Sequence, residues 1–162
     1  MVGAAVKLDW RPVALTPDGP RIDTSVTEAE TAELQRLSAG KSVLEVGSAY
    51  GYSAIVMALT GAYVVAIDPH EQLASYETMG ANLDAYGVAD RVSIFRGNSQ
   101  TWMPQMVPSG WHLVWIDGDH SAETVTHDVT WARKLLRKDG TLACHDYDED
   151  TCPGVRQALD AL

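Results

Sequence analysis

Five short segments of the chain are apolar at nearly every position: Ser42–Val46, Tyr63–Ile67, Arg91–Phe95, His112–Ile116 and Thr141–Cys144. Runs of this length without alternation are expected of strands buried on both faces. Between them, Ser53–Leu59, residues 71–86 and residues 122–137 read as helices, the last on Val125, Val129, Ala132, Leu135 and Leu136. Gly61, Gly87 and Gly140 punctuate their ends. Ahead of the first strand, Thr27 and Glu30 match a capping box, and Ala29, Ala32, Leu34 and Leu37 form the apolar stripe of a helix that Gly40 stops. Val155–Leu162 begins one more helix. Residues 1–25, with Pro12, Pro17, Gly19 and Pro20, read as an irregular lead-in.

Strands alternating with helices specify an α/β fold: a doubly wound, mostly parallel sheet, here a single domain over residues 1–162. In such sheets a ligand lies outside the carboxyl ends of the strands. Almost every polar residue of chemical interest falls there. Glu45, Asp68, Asn98, Asp117, Asp119, His120, His145 and Asp146 are expected to line one rim.

Composition narrows the partners. The chain has 162 residues, with 12 Lys and Arg against 22 Asp and Glu, for a formal net charge of −10. Its 46% hydrophobic and 21% charged content excludes disorder and fibrous repeats. No apolar run reaches the roughly 18 residues of a membrane helix, and Met1 to Trp10 does not read as a secretory signal. Nucleic-acid binding rests on Lys and Arg neutralising phosphates, so it is disfavoured here. Arg133–Lys134 and Arg137–Lys138 read as the solvated face of a helix. Cys144 and Cys152 indicate neither a disulfide framework nor a zinc site, which fits a reducing, cytoplasmic setting.

The segment from Glu45 to Ser53 joins the first apolar strand to its helix through Gly47 and Gly51. Glycines let backbone approach a ligand, and a helix N-terminus offers free N–H groups to an anion such as a carboxylate. A dinucleotide fingerprint would place its middle glycine where Ala49 stands, and Glu45 would repel a pyrophosphate. A cationic ligand group suits that position better. Asp68, at the end of the next strand, is placed to accept ribose hydroxyls. A carboxylate, a positive centre and a ribose together describe S-adenosylmethionine.

VLEVGSAYGYSAIVMA resembles motif I of class I methyltransferases, and specifically of the catechol O-methyltransferase-like group. Gly97-Asn98-Ser99-Gln100 is similar to that group's adenine-contacting segment. IDGDH at 116–120 and HDY at 145–147 resemble the strand ends of a broad family of small bacterial methyltransferases. The resemblance spans roughly residues 40 to 160. It implies a Rossmann-like core with Glu45 and Gly47 near the methionine amino group, Ser53 near its carboxylate, Asp68 on the ribose, and Ser99 and Gln100 on the adenine. Ser48, Gly51, Tyr52, Asn98 and Asp117 complete the implied cofactor set. Trp102 either walls the adenine pocket or packs in the core.

The same resemblance implies a divalent cation at Asp117, His145 and Asp146, and a proton acceptor at His120. A phenol's pKa is about 10, and a bound cation lowers the pKa of its oxygen ligand. Imidazole at position 145 suits Zn, Mn or Fe better than Mg. Alternatively only Asp117 and Asp146 bind, or these carboxylates serve the cofactor pocket without metal. Asp148, Glu149 and Asp150 read as a solvated loop, and His70 and His127 carry no signal.

The methyltransferase sheet of the resembled group continues beyond the fifth strand, so the sheet here is expected to lack the last two strands. The exposed edge would then be covered by the N-terminal segment or by a second subunit, as in a homodimer. The function that follows is transfer of a methyl group to a hydroxyl of a small-molecule acceptor, neutral or cationic, with cation assistance. The alternatives are a truncated S-adenosylmethionine-binding module and an enzyme that consumes S-adenosylmethionine without methyl transfer.

Overall fold

A computed structural model describes residues 10–162 of the chain. The signal reading of Met1 to Trp10 and the start of the lead-in fall on residues outside the described ones, Trp10 excepted. Two strands, β1 (Arg11–Ala14) and β2 (Arg21–Thr24), form an antiparallel hairpin inside the segment expected to be irregular. Pro12 is tolerated in a strand that has one partner among the described residues. Tyr86 ties the hairpin down: its hydroxyl accepts from Leu15 N at 2.9 Å and donates to Pro20 O at 2.6 Å.

The helix α1 (Glu28–Ser38) follows, capped as the sequence predicts, with Thr27 Oγ1 accepting from Glu30 N and Glu30 accepting from Thr27 N. Then come β3 (Ser42–Val46), α2 (Tyr52–Leu59), β4 (Tyr63–Asp68), α3 (Ser75–Ala85), β5 (Val92–Arg96), the short α4 (Ser99–Trp102), β6 (Trp111–Ile116), α5 (Ala122–Leu135), β7 (Leu136–Cys144) and α6 (Pro153–Asp160). Among the described residues, β3 to β7 form one five-stranded sheet in the order β5-β4-β3-β6-β7, and every pair is parallel.

The expectation of a mostly parallel sheet lacking its last two strands is overturned. The sheet is parallel throughout, and its last two strands in chain order, β6 and β7, are present and paired from Leu113 with Thr141 to Ile116 with Cys144. Counting against a seven-strand plan misled, because parallel strands need only a crossover helix and an apolar partner to pair. Here α5 supplies that crossover. The β7 strand also begins earlier than the Thr141 expected, since Leu136 already pairs with Trp111 across a register shift.

Successive strand residues point to opposite faces, and each face is buried. Val43, Val64, Ala66, Leu113 and Trp115 pack under α1, α2 and α3. Leu44, Val46, Ile67, Val114 and Ile116 pack under α5 and α6. The chain order reverses between β3 and β6, which lie side by side. The crevice outside their carboxyl ends is where this topology places a ligand.

Candidate active site

The turn after β3 is shaped by its neighbours. Gly47 adopts φ +87°, and a Cβ there would overlap the Asp117 carbonyl and lie 2.6 Å from Gly118 Cα. Gly51, at φ +89°, would set a Cβ 2.9 Å from Met79 Cγ. Both glycines are thus required by packing, whatever the turn binds. The Asp68 carboxylate, at the end of β4, holds the turn from the other side. Its Oδ2 accepts from Ser48 N and Ala49 N, each at 2.8 Å, and its Oδ1 accepts from His70 N at 2.6 Å.

Glu45 lies beneath the turn and is fully buried. The Ser53 hydroxyl donates to Oε1, while Oε2 has no hydrogen-bond partner among the described residues. Burial, reinforced by Asp117 and Asp68, pushes the Glu45 carboxyl up to about 8 against the Ser53 bond. A buried acceptor of this kind suits a cationic group.

A cavity of about 290 Å³ opens over the turn, lined by Gly47, Ser48, Tyr52, Ser53, Asp68, Asp117, His120 and Asp146 among others. A second cavity of about 660 Å³ adjoins it and is lined by Thr27, Glu30, His145, Asp146, Asp148 and Glu149 with neighbouring residues. Asp146 belongs to both walls.

The polar cluster sits at that shared wall. His120 Nε2 stands 2.9 Å from Asp146 Oδ2. His145 Nδ1 stands 3.1 Å from Asp117 Oδ1 and 2.9 Å from Asp146 Oδ1. Despite these short contacts, this buried nitrogen has no hydrogen-bond partner among the described residues. Adjacent donors around an octahedral ion stand about 3 Å apart, so these spacings suit one. Burial raises Asp117. It opposes ionisation of Asp146 too, but contacts with His120 and His145 prevail and hold that carboxyl well below its usual range. Burial would lower His145, yet Asp117 and Asp146 outweigh it and push it up to about 11. The bond to Asp146 likewise raises His120.

The methyltransferase-domain family model matches residues 44–147. The chain belongs to this family. The class I methyltransferase recognised in the sequence, of the catechol O-methyltransferase-like group, is borne out. A protein-L-isoaspartate O-methyltransferase of Methylorubrum populi is 32% identical, over 73% of this chain and 54% of that protein. Catechol O-methyltransferase of Mycobacterium tuberculosis is 27% identical, over 76% of this chain and 63% of that protein. The chain therefore spans less than two thirds of the length of these curated relatives. The crystal structure of cofactor-bound Rv0187 from MTB superposes with a TM-score of 0.71 at 25% identity, covering 88% of this chain and 70% of that one.

Within this methyltransferase, the structure brings together much of the predicted site and parts some of it. Gly47, Ser48, Tyr52, Ser53, Asp68, Asp117, His120 and Asp146 share one cavity. Gly51 serves the turn from behind. Asn98, Ser99 and Gln100 lie off that cavity's wall. Gln100 Nε2 donates instead to Thr124 Oγ1 of α5 at 3.3 Å. Trp102 packs edge-on against Phe95 with ring centroids 4.9 Å apart, and its Nε1 donates to Arg96 O at 3.2 Å. It belongs to the core on the α5 side. Sequence reasoning missed Trp10, Asp23, Thr24 and Ser25, which complete the first cavity from the hairpin. The alternation of charged and uncharged residues along Arg21-Ile22-Asp23-Thr24 was the available signal.

Proposed function

We propose that this methyltransferase transfers a methyl group from S-adenosylmethionine to a hydroxyl of a small-molecule acceptor, with a divalent cation held by Asp117, His145 and Asp146. The observation that carries it is the buried His145 Nδ1, unpartnered between two carboxylates on the wall where two cavities meet. Motif resemblance and the catechol O-methyltransferase relative support the same reaction.

When bound, S-adenosylmethionine supplies an electrophilic methyl group and a divalent cation lowers the pKa of the acceptor hydroxyl. The chain's own residues do the rest. Asp68 keeps the turn in shape and offers its carboxylate to the ribose. Ser53 and Glu45 receive the methionine end. Asn98, Ser99 and Gln100 are assigned to the adenine side. With Nε2 set against the Asp146 carboxylate, His120 has Nδ1 left to take the hydroxyl proton, and Asp146 stabilises the imidazolium that forms. The wall shared by the two cavities would set an acceptor in one beside a cofactor in the other, the proximity such a displacement needs.

The second cavity gathers Glu30, Asp146, Asp148 and Glu149, which favours neutral or cationic acceptors over phosphorylated ones. No described helix is long and apolar enough to cross a membrane. Free Cys144 and Cys152 suit a reducing, cytoplasmic setting. At the end of the strand order, β7 suits pairing with a second copy in a homodimer, which light scattering tests.

Incubation with S-adenosylmethionine, Mn(II) and a panel of phenols and catechols tests the reaction by mass spectrometry. The expected products are S-adenosylhomocysteine and one methyl ether in equal amounts. Binding without turnover would identify a binding module, and a different nucleoside product would identify an enzyme that consumes the cofactor otherwise.

A further inference from the structure

We propose that Glu30, in the first turn of α1, is a positioning residue for the cation site, holding the His145 ring with Nδ1 toward Asp117 and Asp146. This rests on the assignment of His145 as a cation ligand made above. Glu30 divides its two oxygens between separate tasks. Oε2 alone completes the helix cap, accepting from Thr27 N and from Thr27 Oγ1 at 2.7 Å each. Oε1 is not needed for the cap and stands 3.3 Å from His145 Nε2.

The rest of the ring's surroundings leave this contact a job. The backbone of His145 is fixed to β6, its N donating to Ile116 O at 2.9 Å. Trp115 meets the ring edge-on, with centroids 5.6 Å apart. Neither contact selects which nitrogen carries hydrogen. A carboxylate beside Nε2 keeps a hydrogen on that nitrogen, so that when a cation sits between Asp117 and Asp146 it is the Nδ1 lone pair that is presented to it. Without metal a proton on Nδ1 satisfies the two carboxylate oxygens it faces, and a cation that binds between them takes that proton's place. A carboxylate behind a ligating imidazole is the usual way a protein orients such a ring. In this chain it comes from a helix cap remote in sequence, so α1 is coupled to the site.

Metal binding to the full chain, freed of metal by chelation, tests this. Mn(II) and Co(II) are titrated calorimetrically, and the visible spectrum of the Co(II) form is recorded. Glu30→Gln is expected to weaken affinity by about 10- to 100-fold, the range for losing such an outer partner, and to shift the Co(II) bands. Thr27→Ala removes a side-chain cap but keeps the Thr27 N–H on Glu30. It is expected to lower Tm while leaving affinity and spectrum unchanged. If Glu30→Gln matches the parent while His145→Ala loses binding, the positioning role is overturned and the cation site stands. Equal weakening by Thr27→Ala and Glu30→Gln would make the cap the cause and also overturn it. If the parent binds neither ion, or His145→Ala binds like the parent, the cation assignment fails and the proposal with it.

Discussion

Asp68 Oδ2 accepts a hydrogen bond from Ser48 N at 2.8 Å, so the carboxylate ending β4 is locked to the turn ending β3. The same oxygen serves Ala49 N. One residue therefore shapes the turn and faces the cavity beside it. Asp68→Ala leaves three backbone donors, Ser48 N, Ala49 N and His70 N, without their acceptor, a loss of about 1–3 kcal/mol in stability. Chemical denaturation of the ligand-free protein reads that loss. Calorimetry with S-adenosylhomocysteine should show weakened binding in the same variant, and unchanged affinity would remove Asp68 from the ribose role.

Gly47→Ala should be more damaging than its single added methyl suggests. A left-handed conformation costs a non-glycine residue about 1–3 kcal/mol, and the Cβ also overlaps the Asp117 carbonyl. The end of β6 would have to move. The expected outcome is a Tm several degrees below that of the parent, with loss of cofactor binding. A variant as stable as the parent would show that the two strand ends are not in contact.

Glu45 predicts a pH dependence. Its carboxyl titrates near 4.5 in the unfolded chain and at about 8 in the folded one, mainly because of burial. Between these values the native state holds a proton that the unfolded state has released. Unfolding is therefore increasingly favoured as pH rises through that window, and this contribution levels off above it. Urea denaturation of the ligand-free protein should show stability falling from pH 5 to pH 8, with a shallower fall in Glu45→Gln. Identical profiles would mean that Glu45 is ionised when buried.

Much of this arrangement was legible because it follows from local rules. Strands buried on both faces leave continuous apolar runs, and Val43, Leu44, Leu113 and Val114 are indeed without exposure. The Thr27–Glu30 cap is a matter of spacing alone. The parts that were not legible depend on which face a residue meets. Trp102 follows the adenine-like segment directly, yet one short helical turn carries it to the α5 side of the sheet. The hairpin was hidden by its prolines, although Pro12 is harmless in its strand and Pro17 and Pro20 lie in the connection between the strands. Glu30 could be read as a cap but not as a neighbour of His145, which lies far along the chain.

Trp102→Ala separates packing from binding. Removing the ring leaves a gap beside Phe95, at a cost of up to about 3 kcal/mol. S-adenosylhomocysteine affinity should be unaltered. A variant with parental Tm and weakened affinity would return Trp102 to the wall of the adenine pocket.

In the proposed reaction S-adenosylmethionine binds at the crevice between the ends of β3, β4 and β6. Isothermal titration of the full chain with S-adenosylhomocysteine tests it most directly, run beside the Asp68→Ala variant. Saturable binding of one molecule per chain is expected, weakened by the variant. No heat from the parent, or equal affinity in the two proteins, would contradict it.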